Sequence, residues 1–230
     1  MLTFTVSKFS CQYCKSTFTQ EKTLAVHMCE VKRRYFARNE RATVAGYQAY
    51  NRFFQLTQNA KENRTFDDFA RSQYYNAFVK FGSFLSNVNP LYPDRFIDYV
   101  IKSGVKLDHW IKDGLYDRYV IDLIRTESVE SALERGIGHM QSWALEHNSL
   151  WNHYFKYVST NRVSYDIKDG KISPWLIMNC DSGKDLLANL RDDQLSSISS
   201  IIDPEFWVKK FRSNPEDLNL VRLVIKESDL

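Results

Sequence analysis

Three of the four cysteines, Cys11, Cys14 and Cys29, fall within 19 residues of one another, and His27 lies among them. The fourth, Cys180, stands alone. A Cys-x2-Cys turn lets two thiolates reach one ion, and imidazole and thiolate together suit zinc. The stretch Met1–Lys8 has no basic region followed by a long apolar run, so a secretory leader is not expected. Without export, clustered cysteines favour metal binding in a reducing, intracellular compartment (cytoplasm, nucleoid or nucleus) over a disulfide framework. Cys180 is expected to be a buried free thiol.

The residues around the cluster read Phe9-x-Cys11-x2-Cys14-x3-Phe18-x5-Leu24-x2-His27. This resembles the Cys-Cys-His-His zinc finger, a ββα unit, over residues 9–29. The resemblance implies a short hairpin, a helix that delivers His27, and a small apolar core of Phe18 and Leu24. Such a unit cannot bury enough surface alone, so zinc supplies the folding free energy, about 10–16 kcal/mol in finger peptides. The departure comes at the fourth ligand. The family places a second His or Cys three to five residues after the first, but Val31, Lys32 and Arg33 cannot bind zinc. Cys29 is the nearest candidate. Residues two apart on a helix point about 200° apart, so the helix must end near His27 for Cys29 to turn back. Otherwise Cys180 or a later histidine must close the site.

Base readout by this unit is not expected. The helix positions that face bases in DNA-reading fingers are Gln20, Thr23 and Val26 here, and a single finger covers about three base pairs. A structural, protein-binding or phosphate-holding role fits better.

The net charge of +3 is unevenly spread. Residues 1–64 hold 11 Lys or Arg against 4 Asp or Glu, and residues 65–230 hold 20 against 24. Lys22, Lys32, Arg33, Arg34, Arg38 and Arg41 are the candidate nucleic-acid contacts, through phosphates and without sequence preference. The segment from Lys32 to Leu56 reads as a basic helix, with Val44, Tyr47, Tyr50 and Phe54 along one face. Tyr35, Phe36 and Phe53 lie near the Arg cluster. Arg with aromatics suits single strands, but most of these rings are expected to face a core.

The remainder predicts a mainly α protein. Its organisation is read as a zinc finger over 1–30, a basic helix and linker over 31–64, and an α-rich body over 65–230. Thr65 with Asp68 opens a helix running through Leu85, Pro93 opens another that stops at Gly104, and a third covers Leu107–Arg125. Ser128 caps a helix reaching His147. One small β-hairpin is expected near 163–173, where Val163-Ser164-Tyr165-Asp166-Ile167 alternates before Lys168-Asp169-Gly170. Helices resume near 183–190 and 206–211. No run of about 18 apolar residues is present to cross a bilayer.

No catalytic constellation stands out. His139 and His147 lack an accompanying Glu in an H-E-x-x-H arrangement, and Asp108, Asp113 and Asp117 read as a solvated face. The chain is therefore read as a non-enzymatic, zinc-binding protein that associates with DNA or RNA and recruits a protein partner through its helical body. The alternative is an assembly factor whose finger and body both bind protein. A compact chain with one variant finger also resembles proteins of large DNA viruses and phages.

Overall fold

The structure is a computed structural model and describes residues 9–230; Met1–Lys8, read above as carrying no leader, lies outside the described residues. Among the described residues, fifteen α-helices and one two-stranded antiparallel sheet make a mainly α fold that begins with a ββα unit. The chain divides into two compact units, Met1–Lys112 and Asp113–Leu230. That division falls inside the stretch 65–230 read above as one body.

The first unit opens with β1 (Phe9–Ser10), β2 (Thr17–Phe18) and α1 (Glu21–Val26), followed by α2 (Glu30–Phe36) and α3 (Arg41–Gln58). The basic segment is not one helix. A 3₁₀ turn at Ala37–Asn39 and the extended Glu40 separate α2 from α3. Asn59, in the left-handed region at φ 52°, ends α3; Asn tolerates that region better than most residues. Of the polar stretch 57–65, Thr57 and Gln58 still belong to α3, and the loop covers 59–65, held by the Arg64 N–H donating to Asn51 Oδ1 at 2.7 Å and by Tyr47 Oη donating to the Arg64 carbonyl.

The Thr65–Asp68 signal is a reciprocal cap: the Thr65 N–H donates to the Asp68 carboxylate at 2.9 Å, and the Asp68 N–H to Thr65 Oγ1 at 3.2 Å. The helix it opens is short, α4 (Phe66–Arg71), and a break at Ser72 precedes α5 (Tyr75–Val88). Pro93 opens α6 (Pro93–Lys102), and Gly104 at φ +67° follows its end. Helices α3 and α5 cross where Gly46 meets Gly82. A Cβ on Gly82 would stand 2.0 Å from the Ala42 carbonyl oxygen, so only glycine permits this approach. Beside the crossing, Tyr50, Phe69, Phe78 and Trp110 form a buried aromatic core. Of the stripe expected to face it, Tyr50 is buried, Tyr47 and Phe54 are half-buried, and Val44 is exposed.

The second unit holds α7 (Asp113–Thr126), α8 (Val129–His147), α9 (Tyr154–Tyr157), α10 (Thr160–Lys168), α11 (Pro174–Ile177), α12 (Asp181–Ala188), α13 (Asp192–Ile198), α14 (Pro204–Ser213) and α15 (Pro215–Glu227). The helix expected from Leu107 begins only at Asp113; Leu107–His109 is a 3₁₀ turn of the first unit. Ser128 caps α8 as expected, its Oγ accepting from the Ser131 N–H at 3.3 Å. Ile124, Met140, Ile167, Ile172, Trp175 and Trp207 are fully buried.

The hairpin expected near 163–173 is absent, and helix α10 stands in its place. Val163 and Ile167 are two strand steps twice over, but also one helical turn apart. Both are buried at 0% exposure, together with Asp166 between them, while Tyr165 is 65% exposed. That is a helical face, not alternation. Ser159 supplies the overlooked start signal, its Oγ accepting from the Arg162 N–H at 3.3 Å. Gly170, at φ +76°, ends a helix rather than turning a hairpin.

Candidate metal centre

The ββα unit builds its site from a tight turn and a helix end. Phe9 pairs with Phe18 and Ser10 with Thr17 across the two strands. Between them, the Cys11 N–H donates to the Ser16 carbonyl at 2.8 Å and the Lys15 N–H to the Cys11 carbonyl at 2.9 Å. Lys15 adopts φ 62° to close this turn, which turns Cys11 and Cys14 toward a common point. Helix α1 stops at Val26. His27 is already extended, with ψ 123°, so the chain turns back as the sequence required. Phe18 packs on the His27 ring at 4.8 Å between centroids.

Cys29 then occupies two roles in one position. Its Sγ accepts from the Lys32 N–H at 3.4 Å and caps α2. It also joins Cys11, Cys14 and His27 in a group whose candidate ligand atoms all lie within 4.8 Å of one another. Cys14 Sγ and His27 Nε2 are 3.2 Å apart. Zinc bonded to sulfur at about 2.3 Å and nitrogen at about 2.0 Å needs donor separations of about 3.6–3.8 Å in a tetrahedron, so the group fits a zinc ion. The Cys14 thiol is pulled down to about 6 by the Ser16 hydroxyl and backbone N–H, with His27 adding to them. Burial pushes the Cys29 thiol up, against the pull of the Lys32 N–H. A zinc ion held by all three thiols and the imidazole would have its four tetrahedral positions filled, the pattern of closed zinc sites. Cys180 is a buried free thiol and is not a member of this group.

The unit shares a core with the helices behind it. Tyr13, between the two turn cysteines, packs on Tyr35 at 5.1 Å; Tyr35 packs on Phe66 at 5.2 Å, and Phe66 on Phe69 at 5.8 Å. Tyr35 Oη donates to Asp67 at 2.8 Å.

The six candidate phosphate contacts separate into distinct groups. Lys22, Arg33, Arg38 and Arg41 are exposed, and no hydrogen bond or ion pair commits them among the described residues. Lys32 is half-buried, its Nζ donating to the His27 carbonyl at 3.0 Å. Arg34 is turned inward. It donates to the carbonyls of Ala70 at 2.7 Å and Ser72 at 3.2 Å, pairs with Glu30, and lies over the Tyr75 ring at 4.4 Å. Its side chain is only 13% exposed. Adjacent arginines of one helix thus differ, Arg33 exposed and Arg34 turned inward.

One constellation in the second unit was not visible beforehand. Asp166, at 1% side-chain exposure, accepts from Tyr154 Oη at 2.8 Å and Arg162 Nε at 2.9 Å, and faces His139 Nε2 at 2.9 Å and Lys171 Nζ at 3.3 Å. Burial alone would raise this carboxyl. The His139, Tyr154 and Arg162 contacts outweigh burial and hold it well below the usual carboxylate range. The Arg162–Asp166 spacing of one helical turn was the available signal, masked by reading a strand. Glu127 and Arg135 form a second buried pair.

Among the described residues no helix is long and apolar enough to cross a membrane. Set against known families, curated proteins and solved structures, the chain matches none.

Proposed function

We propose that this is a non-enzymatic nucleic-acid-associated protein in which Cys11, Cys14, His27 and Cys29 hold one structural zinc ion. Zinc fixes the turn and the start of α2, and so sets the directions of the cations that follow. Lys22, Arg33, Arg38 and Arg41, helped by Lys32, contact phosphates of DNA or RNA with little sequence preference. Arg34, one of the six cations expected to hold phosphate, instead anchors α2 to the Ala70 and Ser72 carbonyls at the C-terminal end of α4. The observation that carries the reading is the Cys₃His group set directly before a row of exposed, uncommitted cations. An intracellular, reducing setting suits four free thiols.

Binding measured against salt tests it. Four neutralised phosphates give a slope of log K against log salt near about −3.6 on duplex DNA. No binding at about 50 mM salt would overturn the reading. The second reading, an assembly factor that binds protein, draws support from Val26, 80% exposed on α1, and from Leu145 and Tyr157 in the second unit, exposed at 87% and 66%. In the first reading the helical body meets the protein partner; in the second the finger does so as well.

A further inference from the structure

Three aromatic side chains, Tyr35, Phe36 and Phe53, lie near the Arg cluster in sequence but differ in their surroundings. Tyr35 is packed between Tyr13 and Phe66 with its hydroxyl on Asp67. Phe53 packs against Phe54, Phe78 and Trp110. Phe36, the last residue of α2, is 64% exposed. No other aromatic ring packs on it among the described residues. Lys32, one turn earlier on the same helix, places its Nζ 5.8 Å from the ring centroid. Arg33 stands three residues before it and Arg38 two residues after, both exposed and uncommitted.

We infer that Phe36 is a stacking platform for an unpaired nucleobase, with Arg33 and Arg38 holding the phosphates on either side. The inference rests on the nucleic-acid reading above and narrows it to single strands. The charge around the ring is what selects this occupant. An apolar peptide gains nothing from cations beside the ring, and a single ring is little apolar surface to seat in a bilayer, whereas a polynucleotide presents a flat π face and phosphates together. Every base has such a face, so stacking adds affinity without sequence preference. In a duplex those faces are already covered by neighbouring base pairs, and Phe36 has nothing to receive.

The test uses the full-length, zinc-loaded protein and three fluorescent probes of equal length. These are a single-stranded oligothymidylate, the same sugar–phosphate chain without bases, and a duplex. Fluorescence anisotropy is read for wild type, Phe36→Ala and Phe36→Trp. Phe36 is exposed, so neither variant should disturb folding, and an unchanged thermal melt checks this. The single strand should bind more tightly than the abasic chain. Phe36→Ala should weaken the single strand by about 5- to 150-fold, the range that aromatic-to-Ala changes give per stacked base. It should leave the abasic chain, the duplex and the salt slope unchanged, and Phe36→Trp should retain binding. If the single strand and abasic chain bind equally, or if Phe36→Ala leaves the single strand unaffected, the platform is overturned while salt-dependent phosphate binding stands. If no probe binds, both readings fall, and Phe36 becomes a contact for protein or a membrane surface.

Discussion

The two units treat charge in opposite ways. Residues 1–112 hold 17 Lys or Arg against 9 Asp or Glu, and Lys22, Arg33, Arg38 and Arg41 among them stand exposed at the surface. Residues 113–230 hold 14 against 19, yet their most closely bound charges lie inside, around Asp166 and in the Glu127–Arg135 pair. Buried charge must be matched by geometry, and removing one partner leaves the others desolvated. Exposed charge is nearly free of such obligations and available to a partner. Arg33 and Arg34 show the same contrast within one helix. Sign and number of charges therefore say less about function than the share of them left without a partner in the fold.

The largest expected effect is loss of metal. Chelation should unfold the ββα unit, because metal binding contributes about 10–16 kcal/mol in comparable sites. Hydrogen exchange should rise over residues 11–36 and stay unchanged over residues 113–230. A loss of protection reaching α8 would break the contrast between the units.

Next comes Asp166→Asn, expected to cost about 3–5 kcal/mol in chemical denaturation while zinc content is unchanged. The wild-type cluster should also be acid-sensitive. Its carboxyl titrates lower when folded than the ordinary value of about 3.9, so its contribution is full above that pH and fades as pH falls below it. Stability that is flat from pH 5 down to pH 2 would count against the cluster.

Gly82→Ala should follow, at about 1–3 kcal/mol, because a new Cβ meets the Ala42 carbonyl and the Gly46 nitrogen 2.5 Å away. The effect should be confined to the melting of the first unit.

The finest test is the pair Arg33→Ala and Arg34→Ala. Arg34→Ala should cost about 1.5–3 kcal/mol of stability, through lost charged hydrogen bonds. Arg33→Ala should stay within about 0.5 kcal/mol yet reduce the salt slope by about 0.9. Equal behaviour of the two would show that facing outward or inward does not matter here.

What the sequence disclosed was local. The cysteine spacing, the helix end required at His27, the Thr65–Asp68 cap, Pro93, Gly104 and Ser128 all act within a turn or two of chain. What it hid depended on distance. The direction of Arg34 is decided by carbonyls at residues 70 and 72, which no pattern near residue 34 announces. Residues 163–167 satisfied two periodicities at once, and the arbiter was a carboxylate whose His139 partner lies on another helix. The break at Ala37–Asn39 carries neither Pro nor Gly, so nothing marked it.

The run of rings from Tyr13 through Tyr35 and Phe66 to Phe69 bears on how this protein can be dissected. A finger on a free tether can be cut away or transplanted whole. Here a cut after residue 30 strips Tyr13 from Tyr35, and a cut after residue 64 removes α3 from α5 and opens the Gly46–Gly82 seam. The smallest fragment expected to keep the metal centre and its aromatic backing is the segment ending at Lys112. A graft of the ββα unit onto another protein should therefore hold its fold only if α2 and the helices behind Tyr35 travel with it.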